Sequence, residues 1–96
     1  MSTILVVDDE LSMREFLKIL LEKEGYEAVT AADGEKGLKA VQGREFDLVI
    51  SDIRMPGMGG LEFLDSVKKT NPELPFIMIT AFASPEDAVQ AMRNGA

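Results

Sequence analysis

An α/β fold built on one parallel sheet is what this sequence predicts, and three observations predict it. Four short apolar runs of strand length recur along the chain, patterns with helical spacing lie between them, and the joining stretches are short. Strand-helix units in that succession close most economically as parallel pairs through right-handed crossovers. The first run, Thr3 to Val7, is rich in branched residues and ends at Asp8. Ser12-Met13-Arg14-Glu15 then reads as a capping box opening a helix that carries Met13, Phe16, Leu17, Leu20 and Leu21 on one side, with Gly25 as its stop. Glu27 to Ala31 is a weaker strand. Asp33-Gly34 follows as a cap before a short helix ending near Gly43. Asp47 to Ser51 is the third strand, with Leu48, Val49 and Ile50 at its centre, and it too ends in an acid, Asp52. After the loop Arg54 to Gly60, Leu61, Leu64 and Val67 mark a helix that Asn71-Pro72 ends. Phe76 to Ile79 is the fourth strand. Ser84-Pro85-Glu86-Asp87 combines a cap, a first-turn proline and two acids, opening a last helix through Ala88, Val89 and Met92 to Asn94-Gly95.

Composition narrows the function classes. The 96 residues fit one domain, and 46% hydrophobic with 28% charged residues calls for a packed core rather than disorder or a fibrous repeat. A formal charge of −7, with ten scattered Lys and Arg, argues against a nucleic-acid surface. The chain has neither cysteine nor histidine, which removes disulfides, thiolate metal sites and the commonest general base. Carboxylate chemistry is what remains. No apolar run approaches ~20 residues and the start lacks a basic segment, so neither a membrane span nor a signal peptide is expected, and the cytoplasm is the expected location.

In a parallel sheet all strand ends point one way, which puts Asp8, Asp9, Asp52 and Thr80 on the carboxyl edge, where open α/β sheets bind ligands. Taken singly, each has an ordinary explanation: Asp9 suits a helix N-terminus, Asp52 a turn, Thr80 a strand end. Together at the ends of three strands they are hard to obtain from turn chemistry. If the strand order is 2-1-3-4, strands one and three are neighbours and three acids share one pocket. Such a cluster repels itself unless a cation neutralises it, and without Cys or His the suited ion is a hard one such as Mg²⁺. A carboxylate beside such an ion can also act as a nucleophile toward phosphorus.

Three segments carry a family resemblance. ILVVDDE from Ile4, LVISDIRMPGMGG from Leu48 and FIMITA from Phe76 together resemble the receiver domains of bacterial two-component response regulators. The resemblance implies a flavodoxin-like parallel sheet with helices on both faces in the order 2-1-3-4. It implies that Asp52 accepts a phosphoryl group from a histidine kinase, and that Asp8 and Asp9 hold Mg²⁺ directly or through water. By the same resemblance the backbone carbonyl of Arg54 is a further metal ligand, and the Thr80 hydroxyl and the Ala81 N–H reach a phosphoryl oxygen. The domain is then a regulatory phosphoacceptor rather than an enzyme, capable at most of self-phosphorylation and self-dephosphorylation. It switches conformation and signals to an output domain or downstream protein. DIRMP from Asp52 and the stretch after Thr80 look most like receivers of transcriptional activators of the nitrogen-regulatory class. Residues 1–96 read as one receiver that stops before the family's fifth strand, with its lysine and aromatic residue, and fifth helix. The apolar fourth strand is then left as an edge, and self-association or strand exchange is expected. Gly59 stands where the family commonly has an acid.

Two other readings stay open. One is a truncated scaffold whose site is silent in signalling. The other is a phosphohydrolase of the haloacid dehalogenase type, although its two aspartates are separated by one residue and Asp8 and Asp9 are adjacent. A dinucleotide- or flavin-binding module lacks its glycine-rich turn after the first strand.

Overall fold

The computed structural model describes residues 2–53, 55 and 57–79, and the helix expected from Pro85 onward lies outside them. Seven elements alternate along the described chain: β1 Thr3–Val7, α1 Leu11–Lys23, β2 Glu27–Ala31, α2 Gly34–Gly43, β3 Leu48–Asp52, α3 Gly60–Thr70 and β4 Phe76–Ile79. All strand pairs are parallel and the order is β2-β1-β3-β4, as expected. Val7 therefore stands beside Ala31 on one side and Ser51 on the other, which places β1 at the centre of the carboxyl edge.

The strands alternate between two apolar layers. Leu5, Val7 and Val49 face α2 and α3, where Phe63, Leu64 and Val67 are fully buried. Phe63 meets Phe76 of β4 with ring centroids 5.4 Å apart at a tilted angle, an arrangement that favours aromatic pairs. On the opposite face Ile4, Val6 and Ile50 are covered by Leu17 and Leu21 of α1. Because both faces carry helices, β1 reads as a nearly continuous apolar run rather than an alternating one.

Local chemistry sets the element ends. Asp33 caps α2 as expected, its carboxylate accepting the Lys36 N–H at 2.8 Å. Gly25, at φ 94°, takes the left-handed conformation that ends α1. Lys68 donates its ammonium to the carbonyls of Pro72 and Leu74 beyond the C-terminus of α3, where a cation also suits the dipole. Lys69 pairs with Asp65 one turn back at 3.1 Å.

Three expectations are corrected. Helix α1 begins at Leu11 with Glu10 at its cap position and no side-chain cap, so Ser12 lies inside the first turn and the capping box does not form. A contact from the preceding loop replaces it: the Asp8 carboxylate takes the Glu10 N–H at 2.9 Å, and the Glu10 carbonyl already accepts the Arg14 N–H. Strand β3 runs from Leu48 to Asp52, one residue later than the apolar run suggested, because Asp52 pairs in register with Ile79. The apolar side of α1 is also only partly used. Leu17 and Leu21, one turn apart, pack on the sheet, whereas Phe16 is 60% and Leu20 43% exposed. A helix lying on a sheet buries a narrow stripe, and these two flank it.

Candidate functional site

Because β1 and β3 are hydrogen-bonded neighbours with Val7 beside Ser51, the next residues, Asp8 and Asp52, leave the sheet side by side. Asp8, Asp9 and Asp52 each bring one carboxylate oxygen to within 4.8 Å of the others. Asp8 is buried, Asp52 half-buried and Asp9 exposed, so the cluster is closed toward the sheet and open toward solvent. At such separations two like charges repel by about 1 kcal/mol in water and by a few kcal/mol at an effective dielectric of about 20. A cation bound between the three carboxylates would offset repulsion of that size. All three donors are oxygens, in a chain without cysteine or histidine, which fits a hard divalent cation and not a thiophilic one.

The backbone around the two strand ends is held from several directions. Asp8 donates its N–H to the Ala31 carbonyl at 3.2 Å, extending the pairing of β1 with β2 by one residue. Its carbonyl accepts the Arg14 guanidinium at 2.8 Å and its carboxylate accepts the Glu10 N–H. On β3, the buried Ser51 hydroxyl donates to the Asp52 carbonyl at 3.0 Å, while Ile53 donates its N–H to the Ile79 carbonyl at 3.3 Å.

Helix α3 starts directly against the end of β3. The Gly60 N–H donates to the Ile53 carbonyl at 2.8 Å, and a Cβ on Gly60 would stand 2.1 Å from the Asp52 carbonyl oxygen. Only hydrogen fits there. Gly59 occupies the cap position of α3 with ordinary φ of −72° and offers no side chain to the helix N–H groups. An acid at that position would serve as an N-cap, so its replacement by glycine concerns the start of α3 and not the cation donors. Met55 is buried in the core, and the Met58 side chain lies against Gly34.

Of the residues singled out from the sequence, the structure brings Asp8, Asp9 and Asp52 together, while Arg54, Thr80 and Ala81 lie outside the described residues. Sequence reasoning missed Ser51, Gly60 and Arg14. A glycine pair before a helix and an arginine in a first helical turn were the available signals. A groove of about 730 Å³ between 41–47 and 70–75 lies at the opposite, amino edge of the strands, away from the three acids.

With this geometry in place, the comparison with known proteins gives the class. The chain belongs to the response regulator receiver domain family, whose model matches residues 4–96, and is thus a receiver domain of the two-component kind. It is 43% identical over 93 residues to the transcriptional regulatory protein ZraR of Escherichia coli O157:H7, matching 97% of this chain and 21% of that protein. The chain spans about a fifth of the length of that relative. Among solved structures it resembles the chemotaxis protein CheY4 of Vibrio cholerae, with a TM-score of 0.95 and 39% identity over 100% of this chain and 82% of that one. It also resembles NtrX of Brucella abortus, with a TM-score of 0.92 and 43% identity, covering 100% of this chain and 22% of that one. Receiver domains work with histidine kinases and, in full-length relatives, with output domains. Among the described residues no helix is long and apolar enough to cross a membrane.

Proposed function

We propose that Asp52 is the phosphoacceptor of this receiver, and that Asp8 and Asp9 hold Mg²⁺ beside it. The observation that carries this reading is the convergence of three carboxylate oxygens within 4.8 Å across the β1–β3 pair. When bound, Mg²⁺ supplies positive charge that offsets the carboxylates and the incoming phosphoryl oxygens. A carboxylate oxygen of Asp52 attacks phosphorus, the bond from phosphorus to the kinase imidazole nitrogen breaks, and the electron pair leaves with the imidazole. Asp8, buried and held at its carboxylate by the Glu10 N–H, fixes the back of the site, and Asp9 forms its solvent side. The Arg54 carbonyl is assigned as a further ligand from its place two residues past Asp52. The Thr80 hydroxyl and Ala81 N–H, immediately after β4, are assigned to the phosphoryl oxygens. The added charge of about −1.5 to −2 then biases a two-state surface that an output domain reads. The kinase partner, a transcriptional output of the nitrogen-regulatory class and a cytoplasmic location belong to this proposal, resting on the likeness to ZraR and NtrX.

Acetyl phosphate tests it. With Mg²⁺ present, intact-mass measurement should show one phosphoryl group per chain, and chelation with EDTA should prevent its appearance. Continuous release of phosphate over many turnovers would favour the hydrolase reading, and absence of label with and without Mg²⁺ would favour a silent scaffold.

The 96-residue chain is also expected to self-associate. Phe16, Ile19 and Leu20 of α1 are 60%, 67% and 43% exposed, and Ile77 of β4 is 49% exposed. Large exposed apolar side chains, three of them within five residues of α1, mark association surfaces. Sedimentation equilibrium should give a mass above the monomer that falls on dilution, and a monomer at all concentrations contradicts it.

A further inference from the structure

We infer that Arg14 is a positioning residue for the cation site, fixing the peptide between Asp8 and Asp9 so that both acids present an oxygen to one point. This rests on the three-acid reading above and deepens it. The Arg14 guanidinium donates through Nη1 to the Asp8 carbonyl at 2.8 Å in a partly buried contact. The same residue's backbone N–H makes the first bond of helix α1, to the Glu10 carbonyl at 3.1 Å, which seats the guanidinium beside the acidic loop. Asp8 is thereby engaged at its N–H by Ala31, at its carboxylate by Glu10 and at its carbonyl by Arg14. The Asp8 carbonyl belongs to the Asp8–Asp9 peptide, so rotation of that peptide, which would swing the two carboxylates apart, costs the Arg14 bond.

A cation near the start of a helix opposes the helix dipole, and α1 has no acid in its first turn. The Arg14 guanidinium is instead spent on the carbonyl of the loop that carries two of the three acids. The charge-assisted bond to a carbonyl is of the strong kind, and partners that orient ligands commonly set metal affinity by about 10–100-fold.

The sign of the effect separates positioning from plain charge. Removing a cation near a cation site should tighten metal binding if Coulomb attraction alone matters, and weaken it if Arg14 holds the ligands in place. The test uses Mn²⁺ as the probe, with free ion counted by electron paramagnetic resonance, on wild type, Arg14→Met and Arg14→Lys. Circular dichroism and the urea midpoint report folding. Arg14→Met, which keeps the aliphatic stem, should bind Mn²⁺ about tenfold more weakly or worse. Arg14→Lys, which keeps a charged donor, should recover most of the affinity. Arg14→Gln repeats the first comparison should Arg14→Met not fold. Unchanged or tighter binding in the neutral variants overturns the inference. A wild-type chain that binds no Mn²⁺, or binds it equally well as Asp9→Asn, overturns the three-acid reading instead.

Discussion

Asp52→Asn is expected to abolish Mg²⁺-dependent labelling by acetyl phosphate, with a rate loss on the order of a thousandfold or more. The carboxamide has nearly the shape of the carboxylate, but its oxygen is a poor nucleophile toward phosphorus. The substitution leaves the backbone contacts at this position in place: the register with Ile79, the Ser51 hydroxyl on the Asp52 carbonyl and the close approach of Gly60. Removing one of three like charges also lowers the repulsion among the strand ends. Both readings come from one sample, intact mass for the label and circular dichroism for the fold. Labelling that persists at the wild-type rate would place the acceptor elsewhere, with Asp8 and Asp9 the next residues to replace.

The second large effect is on stability. Gly60→Ala should destabilise the domain by about 3 kcal/mol or more, which lowers the urea midpoint by roughly 1–3 M. Ordinarily, glycine to alanine in a helix gains up to about 1 kcal/mol, since glycine has more freedom to lose on folding. The sign is reversed here because the added methyl would lie 2.1 Å from the Asp52 carbonyl oxygen and 2.7 Å from the Ile53 Cα, backbone atoms that cannot swing aside. Gly43, at the end of α2, is the internal comparison. Nothing lies within 4 Å of a Cβ built there, so Gly43→Ala should be neutral or mildly stabilising. Equal urea midpoints for Gly60→Ala and wild type would mean that α3 does not start against the end of β3. Any shift of the Asp52 carbonyl that relieves the clash should also slow labelling, which ties this glycine to the site and not only to packing.

Much of this was legible in the residues, and the parts that were not share a cause. The branched run from Thr3 to Val7 gives a strand because both its faces are covered by helices, and a side chain of either parity is then apolar. The acids that end β1 and β3 stand out for the same reason, as the first charges after apolar stretches. Strand order was not derivable from periodicity and came from the family resemblance. What the sequence misplaced was decided by contacts between distant segments. Asp52 belongs to β3 because Ile79 pairs with it, and α1 starts before Ser12 because the Asp8 carboxylate reaches forward to the Glu10 N–H. Gly60 matters through an atom eight residues earlier, and Arg14 through a carbonyl six residues earlier. No local pattern encodes either. The expected broad core face of α1 failed because the sheet takes only the Leu17–Leu21 stripe.

Site-resolved metal binding tests the central claim most directly. With the chain uniformly labelled with ¹⁵N, small additions of Mn²⁺ should broaden the amide signals of residues 8, 9 and 52 together, at the same concentration, and excess Mg²⁺ should restore all three. Mn²⁺ affinity that is unchanged in Asp52→Asn, or broadening that begins instead along the 41–47 and 70–75 groove, would contradict a single cation shared between the ends of β1 and β3.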